Sequence, residues 1–295
     1  MSKLFSQIDI ETNSFCTRKC IFCPQYGDKR KEIIELPFET IKKVVDELKG
    51  LNYRDNICLT GYGEPTFDKR LPEIIKYIHT ELPKCYIHFY SNGDIYKTPE
   101  QYIELFKNGL GGIYLSIYDE KNRDKIINIC NGVIELYGKE KIENSEQISE
   151  RPKSGMIKFF FIDKTEPFEL KSFNAISNRA GNLPWLIPNP KKPLEKMCSF
   201  PFRKIAIKSS GEVIICCNDY YNKGNPGNIK NETIKNIWEG KIFTEVRKHL
   251  INKSRDIEPC RLCDNKNTYY HAPIFKEYKE LIEIFKVVKQ NSLFD

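Results

Sequence analysis

Along the first half of the chain, short apolar runs of period two take turns with longer segments of period near 3.6. Ile8–Glu11, Asn56–Thr60, Tyr86–Ser91, Gly112–Ile117 and Met156–Asp163 read as strands. Between them, Phe38–Lys49, Leu71–Glu81, Pro99–Asn108 and Asn122–Tyr137 read as helices. Strands alternating with helices imply βαβ units around a parallel sheet, with ligands gathered at the C-terminal strand ends. The polar stretch 138–154 reads as an excursion between a helix and a strand. The run LPWLIPNPKKP, Leu183–Pro193, excludes regular helix and marks a boundary. After it, Phe202–Lys208 and Glu212–Cys216 flank Ser209-Ser210-Gly211, a hairpin signal. Thr233–Leu250 and Pro273–Val288 then read as amphipathic helices. The expected divisions are residues 1–182, a linker 183–197, a second domain 198–270 and a terminal helix 271–295.

Composition is that of an ordinary globular protein, 40% hydrophobic and 29% charged. A net charge of +7 suits a phosphate-bearing substrate or a solvated lysine-rich surface, and is too weak to argue nucleic acid. Neither a signal peptide nor an apolar run of the ~20 residues of a membrane span is present. The expectation is a cytoplasmic protein with no membrane or nucleic-acid partner. Eleven cysteines in a reducing compartment then read as metal ligands where closely spaced, not as a disulfide framework.

Cys16, Cys20 and Cys23 stand as C-x3-C-x2-C directly after the first strand. Three thiolates hold three irons of a [4Fe–4S] cube, which usually takes four cysteines, so one iron stays open. An open position separates a catalytic metal from a structural one. The residues also allow a zinc site, with Cys58 or a histidine as fourth ligand. Cys198, Cys216, Cys260 and Cys263 lie beyond the proline-rich run, the last pair as a C-x2-C knuckle after Pro259. Two ligands around a hairpin and a distal knuckle close a four-coordinate site for zinc or for a cubane, and spacing does not choose between them.

CTRKCIFC, with Phe22 before its last cysteine, resembles the signature of the radical S-adenosylmethionine (SAM) superfamily. Over Gln7 to Asp163 this resemblance implies an α/β fold, an open partial (β/α)6 barrel. It also implies that SAM chelates the open iron and is cleaved there to a 5′-deoxyadenosyl radical. Phe22 would then pack near the adenine. Gly61-Tyr62-Gly63-Glu64-Pro65 is similar to the family's glycine-glycine-glutamate motif, whose backbone meets the SAM amino group. Ser91, Asn92 and Ser116, at strand ends, stand where the family holds the SAM ribose and carboxylate.

The C-terminal pattern resembles the SPASM/Twitch auxiliary-cluster region: Cys198, Gly211-x4-Cys216, Gly227-Asn228-Ile229, Ile237-Trp238-Glu239-Gly240 and Cys260-Arg261-Leu262-Cys263. It matches the shorter form, a small β-hairpin-plus-helix domain with one fully ligated cluster. Asn178-Arg179-Ala180-Gly181 is similar to a run in the same proteins. In size and in the arrangement of seven cysteines, the chain resembles the radical SAM cyclitol dehydrogenases of aminoglycoside pathways. The cofactors implied are two [4Fe–4S] clusters and SAM.

The activity this implies is oxidation of a secondary alcohol on a sugar, aminocyclitol or activated sugar, with one electron passed to the auxiliary cluster. An external low-potential donor such as flavodoxin or ferredoxin would be the partner. The alternatives are a sugar or peptide epimerase with Cys217 as hydrogen donor, a peptide-modifying maturase, and a non-enzymatic zinc protein. Arg179 is a candidate clamp for an anionic or hydroxylated group, or half of a structural ion pair. Asp219 is a candidate base or a supporting partner of the site. On a hairpin strand, pleating would turn Cys216 to the cluster and Cys217 to the other face. Cys58, Cys85 and Cys130 read as core, and the four histidines form no motif.

Overall fold

The computed structural model describes residues 4–29, 32–118, 120–138, 142–144, 157–163 and 177–266. Nine strands form one sheet in the order β5-β6-β4-β3-β2-β1-β7-β8-β9. They are β1 (Gln7–Ile10), β2 (Asn56–Cys58), β3 (Tyr86–Ser91), β4 (Gly112–Ile117), β5 (Ile142–Asn144), β6 (Ile157–Asp163), β7 (Lys204–Ile207), β8 (Glu212–Ile214) and β9 (Gly227–Asn228). The strands from β5 through β7 pair in parallel, and β7, β8 and β9 pair antiparallel. The first six strands are those of the partial barrel. The stretch 138–154 holds one of them, β5, which sits outside β6, so the last two strands are swapped in order.

Register sorts the side chains by face. Ile8, Ile57 and Ile87 share a row, as do Phe89 and Ile113. All are fully buried against helices α1 (Phe38–Gly50), α2 (Leu71–Glu81), α3 (Pro99–Lys107) and α4 (Glu120–Tyr137). The alternate positions carry Gln7, Asp9, Asn56, Cys58, Tyr86, His88, Tyr90, Tyr114 and Lys204. A parallel strand buried on both faces usually reads as a continuous apolar run. These strands alternate instead, which marks a polar barrel interior.

The C-terminal part is joined to the barrel through the sheet itself. Lys204 through Ile207 pair residue by residue with Gln7 through Ile10, so β7 closes the free edge of β1. Phe202, expected in that strand, ends in the short helix α5 (Phe200–Arg203). The helix expected over Thr233–Leu250 is two, α6 (Ile234–Glu239) and α7 (Lys241–Ile251). Gly240 breaks them in an extended conformation, ψ 168°. The break is repaired by buried Arg247, whose Nη1 donates to the Trp238 carbonyl at 2.7 Å and whose Nε donates to the Pro201 carbonyl at 2.8 Å. Helix ends leave unpaired carbonyls, and this guanidinium satisfies one of them. The expected helix Pro273–Val288 lies outside the described residues.

Candidate active site and cluster sites

Two loops meet over the end of β1. The Asn13 side chain donates to the Glu64 carbonyl at 3.0 Å, and the Glu64 amide donates to the Phe15 carbonyl at 2.6 Å. Glu11 binds both neighbours: Oε1 accepts the Tyr62 and Gly63 amides at 2.7 and 3.1 Å, while Oε2 accepts the Ser209 amide and hydroxyl, each at 3.0 Å. That closeness explains the glycines. A Cβ on Gly63 would stand 1.9 Å from the Asn13 carbonyl oxygen, and one on Gly61 would stand 2.5 Å from Glu11 Cβ. Glu11 and Asn13 carried no motif, so sequence reasoning missed them; a polar pair ending a strand was the available signal.

The cysteine loop is tied to the end of β3. Arg18 forms a two-pronged ion pair with Asp94, both prongs at 2.7 Å. Asn92 Nδ2 donates to Thr17 Oγ1 at 3.0 Å and toward Cys16 Sγ at 3.7 Å. The Arg18 amide faces the same sulfur at 3.5 Å. Burial pushes the Cys16 thiol up to about 11, and burial also raises Cys23, which the Gln25 amide meets. N–H donors aimed at buried sulfurs match thiolates that carry metal, since binding iron replaces the thiol proton. The trio Cys16, Cys20 and Cys23 thus fits the cubane with its open iron.

One side of the loop has an aromatic wall. Phe22 stacks on Tyr118 with centroids 5.9 Å apart, and Arg18 lies 5.2 Å over the same Tyr118 ring. Ser116, buried at the end of β4, hydrogen-bonds the Tyr118 side chain. Burial pushes the Tyr118 hydroxyl up to about 12, so it stays a neutral donor. The Glu64 side chain turns inward, accepting from Thr66 Oγ1 at 2.6 Å, Ser91 Oγ at 2.7 Å and the Asn92 amide at 2.9 Å. Glu64 and Ser91 therefore brace the loop through their side chains. The outer edge of the motif is the backbone at Gly61, which is exposed.

Cys198, Cys216, Cys260 and Cys263 all line one small hollow, together with Ala180, Asn218, Pro259 and Arg255. Burial is the chief cause that raises Cys216, Cys260 and Cys263, the last to about 11; Cys260 and Cys263 are charge neighbours of Cys216, and Cys198 is a charge neighbour of both Cys260 and Cys263. Among the described residues no three ligating side chains converge tightly enough for a single ion. Four thiols around a hollow suit a polynuclear cluster. Pleating does not sort Cys216 from Cys217, because β8 ends at Ile214 and both lie in the bend that follows. The bend still separates them: Cys216 enters the hollow, while Cys217 has Arg179, Lys204 and Asp9 among its charge neighbours.

Between the two sites runs the turn Asn178–Gly181. Asn178 is fully buried: its side chain donates to the Leu262 carbonyl at 2.7 Å, its backbone amide donates to Asp264 Oδ1 at 2.7 Å, and its Oδ1 accepts the Asp264 amide at 3.3 Å. It thereby clips the turn to the cysteine knuckle. Arg179, Ala180 and Gly181 all adopt positive φ, 51°, 56° and 80°. For non-glycine residues this conformation costs on the order of 1 kcal/mol each and persists only where surroundings impose it. The result is that Ala180 lines the second hollow while Arg179 faces the other way. Arg179 Nη1 donates to Asn218 Oδ1 at 3.2 Å, and its buried Nε has no partner among the described residues. Burial opposes its charge, but the acid groups of Tyr62, Cys217, Cys23 and Tyr118 outweigh that and keep it protonated. The Tyr62 hydroxyl donates to the Cys217 carbonyl, completing this layer. Asp219 is less available: both its oxygens accept backbone amides of its own loop, from Lys223 at 2.7 Å and Gly224 at 3.1 Å.

Comparisons with known proteins agree with this geometry. Residues 10–136 match the radical SAM superfamily, and residues 198–264, which span all four C-terminal cysteines, match an iron–sulfur cluster-binding domain, SPASM. The chain is 27% identical over 266 residues to an S-adenosyl-L-methionine-dependent 2-deoxy-scyllo-inosamine dehydrogenase of Niallia circulans, covering 90% of this chain and 95% of that protein. The crystal structure of BtrN in complex with AdoMet and 2-DOIA superposes with a TM-score of 0.70 at 25% identity, over 92% of this chain and 98% of the other. Native anSMEcpe with bound AdoMet shares the fold at 15% identity, with a TM-score of 0.52 over 97% and 98% of the two chains. No helix among the described residues is long and apolar enough to cross a membrane.

Proposed function

The chain is a radical SAM enzyme with a C-terminal iron–sulfur cluster-binding domain, and from that premise we propose that it dehydrogenates a secondary alcohol of an aminocyclitol or related sugar. The observation that carries the reading is the turn at Arg179 and Ala180. One residue faces the first cysteine loop and the barrel interior, while the next lines the second hollow. A substrate held at Arg179 is therefore adjacent to both centres.

Bound SAM and its cluster supply a hydrogen-abstracting adenosyl radical, and the second cluster supplies a one-electron acceptor. The protein's own residues do the rest. Phe22 and Tyr118 wall the nucleotide, and Asn92, Ser116 and the Gly61–Gly63 backbone hold its polar edge. The Arg179 guanidinium, with one nitrogen unpartnered among the described residues, donates to a substrate hydroxyl. Asp9 and Lys204, opposite charges on the barrel interior near Cys217, suit a substrate carrying both hydroxyl and amino groups. With the carbon-bound hydrogen taken up as 5′-deoxyadenosine, loss of the hydroxyl proton and of one electron from the substrate radical would give the carbonyl, and the group held at the second hollow would take that electron. An external low-potential carrier, flavodoxin or ferredoxin, supplies the electron that starts each turnover.

The test is anaerobic incubation of iron-loaded enzyme with SAM, reductant and a panel of aminocyclitols. The expected products are 5′-deoxyadenosine and a substrate lighter by two hydrogens. Incorporation of one deuterium from heavy water with no loss of mass would instead establish the epimerase reading.

A further inference from the structure

Arg255 is the largest side chain among those buried completely, with 1% of its surface exposed. Four of its five N–H groups meet acceptors. Nε donates to the Lys196 carbonyl at 2.9 Å, Nη2 to the Met197 carbonyl at 3.3 Å, and Nη1 to the Asn265 carbonyl at 2.6 Å and to Cys263 Sγ at 3.7 Å. Three of these acceptors are neutral carbonyls and the fourth is a cluster cysteine. No carboxylate pairs with it among the described residues, although Asp264 is near enough to feel its charge. The same side chain lines the hollow of the four cysteines.

A buried cation without a counter-charge is strongly unfavourable, so its partner must be the anion that fills the hollow. A four-thiolate cubane carries net negative charge and gains one more on reduction. A fixed cation with an N–H aimed at a ligand sulfur stabilises the reduced form more than the oxidised one, and such hydrogen bonds set cluster potentials. We propose that Arg255 is the residue that raises the reduction potential of the C-terminal cluster and so makes it a competent acceptor of the substrate's electron. The inference rests on reading that hollow as a cluster site. It assigns Arg255 a positioning and electrostatic role, with no contact to substrate.

The test is a potentiometric titration of the iron-loaded enzyme followed by electron paramagnetic resonance. The signal unchanged by SAM belongs to the fully ligated cluster. Arg255→Met, which removes charge and donors, should shift its reduction equilibrium at least tenfold toward the oxidised form, a fall of 59 mV or more for one electron. Arg255→Lys, which keeps the charge, should stay within about threefold of wild type. An iron-replete Arg255→Met enzyme with an unchanged potential overturns the proposal. If Arg255→Met loses its second cluster, Arg255→Gln replaces it and the same tenfold criterion applies. If that variant also fails to hold iron, Arg255 is a scaffold of the hollow and the proposal falls. A wild-type enzyme with no SAM-insensitive signal would instead remove the cluster reading itself, before any variant is compared.

Discussion

Cys217 is the residue on which the two enzyme readings divide. It sits beside Arg179 at the end of the second hollow's bend, yet outside the hollow itself. In a dehydrogenase its thiol only packs, because the substrate radical leaves by losing an electron. Cys217→Ala should then cost about 1 kcal/mol of stability from the small volume lost. Product should still form, lighter by two hydrogens, as read by mass spectrometry. A folded variant that makes 5′-deoxyadenosine but no oxidised product would show that the thiol donates hydrogen. Arg179 was visible in the sequence as a candidate, but its strained left-handed turn was not. Backbone strain at Arg179 and Ala180 is set by what Asn178 grips 84 residues further on, the Leu262 carbonyl.

At the scale of elements, the glycine motif after β2 is a packing device as well as a binding one. Gly63 lies against the Asn13 carbonyl, so a methyl group there must push apart the loops after β1 and β2. Overpacking of this kind costs about 1–3 kcal/mol. Gly63→Ala should therefore lower the melting temperature and lose the iron of the first cluster, about four atoms on the cubane stoichiometry. The second cluster should remain, which iron and sulfide analysis checks. Gly50, at the end of α1, is the internal control: a Cβ there meets nothing within 4 Å, and Gly50→Ala should be neutral or mildly stabilising. The same scale explains where β2 stops. Thr60 Oγ1, rather than a carbonyl, accepts the Tyr90 amide at 2.8 Å, so the pairing is handed to a side chain as the strand turns into the motif. The one long helix expected at Thr233–Leu250 failed for a related reason, because helical periodicity continues through Gly240 while the backbone does not.

For the whole molecule, one sheet runs from the barrel into the cluster region, and its polar interior makes stability sensitive to acid. Burial, with Lys204 nearby, holds His88 down to about 3, well below the 6.5 of a free histidine. Because the folded value is depressed, its contribution is complete above pH 6.5 and is lost as pH falls toward 3. The loss is roughly 1.4 kcal/mol per unit, or about 2 kcal/mol by pH 5. Buried Asp9, whose carboxyl burial pushes up, shifts stability in the opposite direction, so the comparison must be with a variant. The advantage of wild type over His88→Gln in denaturant unfolding should shrink by about that amount between pH 7 and pH 5. A gap that is independent of pH would show that His88 stays solvated.

The sequence by itself determined the chemistry and the class of fold. Ligand cysteines must be close in the chain to share a loop, and helix and strand periods are local, so both are written in short windows. The three-cysteine loop, the C-x2-C knuckle and five of the barrel's six strands are legible on that ground, and only β5 is not. Only the tertiary structure decided how the parts face each other. It placed β5 outside β6, laid β7 on β1, and made Glu11 the shared acceptor of two loops and the hairpin. It also turned Arg179 toward one centre and Ala180 toward the other, and set Arg255 against Cys263. Those pairings join residues up to 198 positions apart. No local period encodes them, because they are fixed by which buried donors find acceptors once the sheet has closed.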